Sequence, residues 1–125
     1  MMNKEFKARW VKALRSRKYK QGKDHLHKVE DGEHYYCCLG VLCEIVREEA
    51  GIRRRKIKSH YKYGTNPSNK KELLPIEVSE YVGLTGFQNA NPEVKHPELG
   101  TSYLADFNDR NVGFRTLARL IDEQL

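Results

Sequence analysis

The sequence predicts an α+β fold: a small antiparallel sheet, built from a hairpin near 24–37 and a strand near 55–63, covered by about five short helices. Apolar residues recur at helical spacing in 3–17, 38–50 and 114–124. Turn chemistry and period-two alternation mark the intervening segments instead. Strands and helices do not alternate regularly, so a parallel sheet is not expected. A chain of 125 residues reads as a single domain, 1–125, able to bury a core.

The elements follow in order. Asn3 is placed to cap a helix whose Phe6, Trp10 and Leu14 share one face, with Lys4, Lys12 and Arg15 on the other. Gly22 breaks that pattern. Asp31-Gly32 is a hairpin turn between strands near 24–29 and 34–37. Leu39, Leu42, Cys43, Ile45 and Val46 form the stripe of a helix over 38–50, with Gly51 as its C-terminal cap residue. Ile57, Ser59, Tyr61 and Tyr63 alternate with Lys56, Lys58, His60 and Lys62, which predicts one strand near 55–63 with a basic face. "GTNPSNKK" is a loop, and Pro75 opens a short helix that closes at Gly83. "TGFQNANPEVKHPELG" is irregular apart from a short strand near 93–95. Ser102 caps a short helix through Phe107, "NDRNVG" turns the chain, and Phe114, Leu117, Ala118, Leu120 and Ile121 mark the last helix.

Twelve aromatic residues, with 38% hydrophobic and 32% charged residues, exclude a disordered chain. No apolar run approaches the ~20 residues a spanning helix needs, and "MMNKEFKARW" has no signal-peptide centre. The three cysteines are odd in number and too close together to staple a fold, which suits reduced thiols. A cytoplasmic protein without membrane contact is expected. The net charge is +6, divided unevenly. Residues 1–71 hold 19 Lys/Arg against 8 Asp/Glu, and residues 72–125 hold 4 against 9. That is +11 against −5. An anionic partner for the first half is one explanation; mutual attraction of the halves, or solubility alone, is the other.

Four constellations could carry chemistry. Cys38 would open a helix directly after a strand, where backbone N–H groups and the helix dipole favour thiolate. Gly40 would let a substrate approach the backbone. His96, His60 or His34 would be the base, and Asn108 or Asp109 its orienter. Papain-like cysteine hydrolases present a nucleophile this way, yet cysteine at such a junction is more commonly just buried. Cys37, Cys38, Cys43 and His34, with His25 and His27 across the hairpin, supply metal-ligand types, but the spacing departs from known zinc patterns. "RSRKYKQGK" (15–23) and "RRRKIK" (53–58) are basic clusters with Tyr19, Tyr61 and Tyr63 nearby. Arginine binds phosphate and tyrosine stacks on bases, though no phosphate-loop or nucleic-acid motif is present and a solvated basic face explains the charge equally. Finally, "YLADFNDRNVGFRTLARLI" has helix-turn-helix form, but the exposed residues of its second helix are mixed in charge and unsuited to reading DNA.

Trp10 and Leu14, "KYKQGK" (18–23), "YCCLGVLCEI" (36–45), "LP" (74–75) and "NDRNVGF" (108–114) with its amphipathic tail together resemble a family of small uncharacterised proteins encoded by bacteriophages and bacterial genomes. The "CCLGVLC" block is the most specific part. Arg17 stands where that family often has glycine, and 51–73 looks like its variable stretch. The resemblance implies a phage accessory role, counter-defence in the host cytoplasm, and no particular mechanism.

The leading expectation is therefore a phage-type accessory protein that binds a phosphate-bearing ligand, nucleotide or nucleic acid, without catalysis and without a cofactor or metal. Tyr19, Gln21, Gly22 and Arg53, Arg54 and Arg55 would line or rim the site. The alternatives are a hydrolase with Cys38 as nucleophile, and a protein–protein inhibitor of a host defence factor. Oligomeric state is not legible.

Overall fold

A computed structural model describes residues 2–66, 69–84 and 90–125. Helix α1 (Lys4–Arg15) starts where expected: the Asn3 side chain accepts the Glu5 N–H at 2.8 Å. It buries Trp10, Val11 and Leu14. Strand β1 (Lys20–Gln21) follows, then the hairpin β2 (His27–Glu30) and β3 (Glu33–Tyr36) around Asp31-Gly32, both at positive φ. Helix α2 (Cys38–Val46), the hairpin β4 (Arg54–Ile57) and β5 (His60–Tyr63), and α3 (Ile76–Val82) come next. A second hairpin, β6 (Glu93–His96) and β7 (Gly100–Tyr103), leads into α4 (Leu104–Asp109) and α5 (Phe114–Gln124).

The fold is α+β. Its main sheet has the order β1-β3-β2-β5-β4, antiparallel except for β1, which joins β3 in parallel; β6 and β7 form their own antiparallel pair. α2 is the central helix, with seven of its nine residues buried. α1 packs between α2 and α5, and Trp10 donates its indole N–H to the Cys38 carbonyl at 2.9 Å. One constraint fixes the seat of α2: a Cβ on Gly40 would lie 1.6 Å from the Leu26 carbonyl oxygen, so only glycine fits.

The segment read as one strand near 55–63 is a hairpin. Lys58 and Ser59 form its two-residue turn, with Lys58 at φ 57°. A two-residue loop pairs Ile57 with His60 and so inverts the parity: Tyr61 and Tyr63 share a face with Lys56 and Arg54 rather than with Ile57, and the basic residues divide between the two faces instead of forming the one basic face expected. The Ser102 cap is also corrected: Tyr103 holds the N-cap position of α4, and Ser102 Oγ donates to Asp106 Oδ2 at 2.7 Å. Helix α2 ends at Val46, with residues 47–50 in turns before Gly51. β2 begins at His27 rather than 24, and part of the region read as irregular, 85–89, lies outside the described residues.

Candidate anion-binding site

The β4–β5 hairpin closes on Ile57 and His60, and Arg53 O accepts the Gly64 N–H at 2.7 Å. In an antiparallel ladder hydrogen-bonded pairs alternate, so the peptide groups of Arg54 and Lys56 face the open edge of the sheet. Beyond β5 the chain turns through Gly64 at φ 79°. The turn wraps the Glu77 carboxylate, which accepts the Thr65 N–H and the Asn69 amide at 2.8 and 2.7 Å. A side chain at Gly64 would strike that carboxylate at 2.3 Å.

Arg53, Arg54, Arg55, Lys62 and the Gly64–Asn66 turn line a cavity of about 530 Å³. Among the described residues, four lining side chains are basic and none is acidic. Among the described residues, Arg53, Arg55 and Lys62 form no ion pair. Because Glu77 takes the Thr65 N–H, an anion here would be held chiefly by side chains. Arg54 is different: it donates to Glu44 Oε1 at 2.8 Å and its guanidinium lies 4.9 Å from the Tyr61 ring centroid.

The other residues expected in the site lie elsewhere. Tyr19 and Gln21 belong to the β1 edge, opposite β4, and border a separate cavity of about 400 Å³ with Arg15, Arg17 and Arg115. Gln21 is also committed internally, donating to Asn108 Oδ1 and Val112 O and accepting the Phe114 N–H. Gly22 is buried and its N–H goes to Tyr36 O at 2.8 Å. It offers no backbone donor to a ligand. Gly40 is buried against Leu26.

Cys38 does open α2 after a strand, as the sequence suggests, but Cys37 is the N-cap, its sulfur accepting the Gly40 N–H at 3.4 Å. The Cys38 thiol is buried and points at Leu104 O, 3.8 Å away. Burial raises all three thiol pKa values, that of Cys37 to about 12, which disfavours thiolate. His96 Nδ1 accepts the N–H groups of Glu98 and Leu99, His34 bonds His27, and His60 packs on His25. No hydrogen bond joins any of these to a cysteine among the described residues. Asn108 is buried and holds the junction together: it accepts the Cys38 N–H at 3.2 Å and donates to Gly22 O at 2.8 Å. Asp109 accepts the Asp24 N–H. No group of three or more His, Cys, Asp and Glu among the described residues is placed to hold a metal ion.

A cluster that the sequence reading passed over centres on Glu44. Its carboxylate accepts the Tyr63 hydroxyl at 2.6 Å, Arg54 at 2.8 Å and Arg47 at 3.2 Å. Tyr63 OH in turn meets His27 Nδ1 at 2.9 Å, and His27 Nε2 meets His34 Nδ1 at 2.7 Å. Burial pushes the His27 pKa down to about 4. For Glu44, burial acts upward, but the Tyr63 hydroxyl, Arg54 and Arg47 outweigh it and hold the carboxyl below its usual range. Tyr36 and Tyr61 stack on the two faces of His27, each with centroids 4.2 Å away. The Asp31-Gly32 turn is the sequence signal that could have found this, because it sets His27 opposite Tyr36. The stack is closed: His27 and Tyr63 have no exposed surface, so Tyr63 is no platform for a base.

No helix among the described residues is long and apolar enough to cross a membrane. No curated protein and no solved structure matches the chain. A family model does, over residues 2–125, nearly the whole length that carries the sheet, the cavity and the cysteine junction, and the chain belongs to that family, Domain of unknown function (DUF8296).

Proposed function

We propose that the chain binds a phosphate-bearing ligand, a nucleotide or a nucleic acid segment, in the cavity on the β4–β5 hairpin, and does so without catalysis. One observation carries this reading: about 530 Å³ of cavity with four basic lining side chains and no acidic one, three of the four without an ion-pair partner among the described residues. Guanidinium groups suit phosphate oxygens because their forked N–H donors match the geometry. The +11 first half of the chain, which contains every basic residue of the cavity, would add attraction at longer range. In the context that the sequence resemblance implies, the role is counter-defence, with the ligand a nucleotide signal or nucleic acid of the host.

A screen by thermal shift and calorimetry against nucleotides, cyclic dinucleotides and short oligonucleotides tests the proposal. Stabilisation is expected at low salt and weakens as salt rises. Silence from every member at low salt would end it.

A second reading, inhibition of a host protein, has one observation in its favour: β4 is an edge strand with a basic, open ladder. A pull-down that captures a host protein through β4, alongside a silent ligand screen, would favour it.

A further inference from the structure

The hydrogen bonds around Glu44 have only one consistent direction. A carboxylate only accepts, so Tyr63 donates to Glu44. The Tyr63 oxygen must then accept from His27, which puts a proton on His27 Nδ1 and leaves Nε2 as an acceptor. His34 therefore donates from Nδ1, and its Nε2 lone pair is left to the exposed side of the sheet. Four side chains from β3, β2, β5 and α2 form a directed chain from the surface to a carboxylate that also holds Arg54. Arg54 is at once a ligand of Glu44 and a lining residue of the basic cavity.

We propose that this chain makes anion binding in the cavity proton-linked: a proton taken up at His34 Nε2 is passed inward and loosens the hold of Glu44 on Arg54, which then serves the bound anion. The proton balance is simple. Solvent protonates His34 at Nε2; its Nδ1 proton moves to His27 Nε2; His27 keeps its Nδ1 proton and becomes the imidazolium, donating to Tyr63 and back to His34. One positive charge is gained near Glu44, and the pair holds only one, since a second would sit within hydrogen-bond distance of the first.

The charged and titratable groups around the pair act on this uptake from each side. His27 is faced by Tyr36 from β3, Tyr61 and Tyr63 from β5, and Glu44 from α2; Arg54 and Arg47 oppose its charge. Glu33, paired with Lys20, lies beside His34. In the free protein burial holds this charged form back; an anion drawn to Arg54 offsets the arginine's opposition, so the imidazolium forms with the anion bound and each favours the other. The inference rests on the anion-binding reading of the cavity.

Sulfate is the probe, because it stays a dianion throughout the range in which histidines titrate. Calorimetry at low salt is expected to show sulfate affinity at least about fivefold higher near pH ~5 than near pH ~8. His34→Gln, at an exposed position, is expected to abolish most of that tightening while keeping the affinity at high pH. Tyr63→Phe, which cuts the chain midway, is expected to do the same. His60→Gln is the control, since His60 lies beside His25 and Lys62 and could itself favour anions when charged; its pH response is expected to persist. Nitrogen-15 shifts are expected to show His34 protonated at Nδ1 and not at Nε2 at high pH. Wild-type affinity that does not change with pH, or tightening that survives in His34→Gln, overturns the linkage and leaves the cavity reading standing. Absence of sulfate binding at either pH overturns both.

Discussion

Asn108 sits in a polar stretch, "NDRNVG", that reads as a turn, yet its amide ties that turn to two distant segments, Gln21-Gly22 and the start of α2. It accepts the Cys38 N–H and the Gln21 amide and donates to the Gly22 carbonyl, all in a buried setting. Its partners lie 70–87 positions away in sequence, which is why sequence reading could name it only as a possible orienter of a catalytic base. Asn108→Ala leaves several buried groups unpaired and should cost about 3 kcal/mol in a urea unfolding titration. Cys38 is a converse case: its place at the start of α2 was legible, its burial was not. A thiol reagent should therefore modify none of the three cysteines in the folded protein, and all three in urea. Fast labelling of Cys38 in the native state would reopen the nucleophile reading. His27 gives a stability prediction whose sign follows from its lowered pKa. The unfolded chain binds the proton more readily, so the contribution is full above pH ~6.5 and is lost as pH falls toward about 4. Roughly 3 kcal/mol should disappear across that window, read from unfolding midpoints, and His27→Gln should flatten the dependence.

Helices α1, α2 and α5 were legible because each carries a long apolar period and buries it. The β2–β3 hairpin was legible through Asp31-Gly32. The β4–β5 hairpin was not, since Lys58-Ser59 lacks the glycine or asparagine that marks such turns and the alternation runs through unbroken. β1, two residues long and parallel, has no pattern to find. These elements are set against one another by a few close approaches, one of the tightest being Gly40 on Leu26, the residue before β2. Gly40→Ala drives a methyl into the Leu26 carbonyl, backbone that cannot step aside. It should destabilise by at least about 3 kcal/mol, measured as a shift of the urea midpoint, or prevent folding.

Across the whole molecule, the +11/−5 division was visible in composition, but its spatial meaning was not. The two basic clusters that the sequence suggested as one site lie on opposite edges of the sheet, one at β1 and one at β4. Arg53, Arg54 and Arg55 could be grouped from the sequence because they are consecutive; Lys62 lines the same cavity only because the hairpin folds it back beside Arg55. The division also predicts how a mutation should act. Arg53→Ala with Arg55→Ala removes two unpaired charges from an exposed strand and should leave the urea midpoint nearly unchanged while weakening anion binding at least about tenfold. Amide chemical shifts followed during an ATP titration at low salt test the anion site most directly. The cavity account predicts shifts concentrated at Arg53–Arg55, Lys62 and Gly64–Asn66 that vanish in the double variant. No shifts in the wild-type protein, or shifts centred on Arg15–Gln21 that survive the double variant, would contradict it.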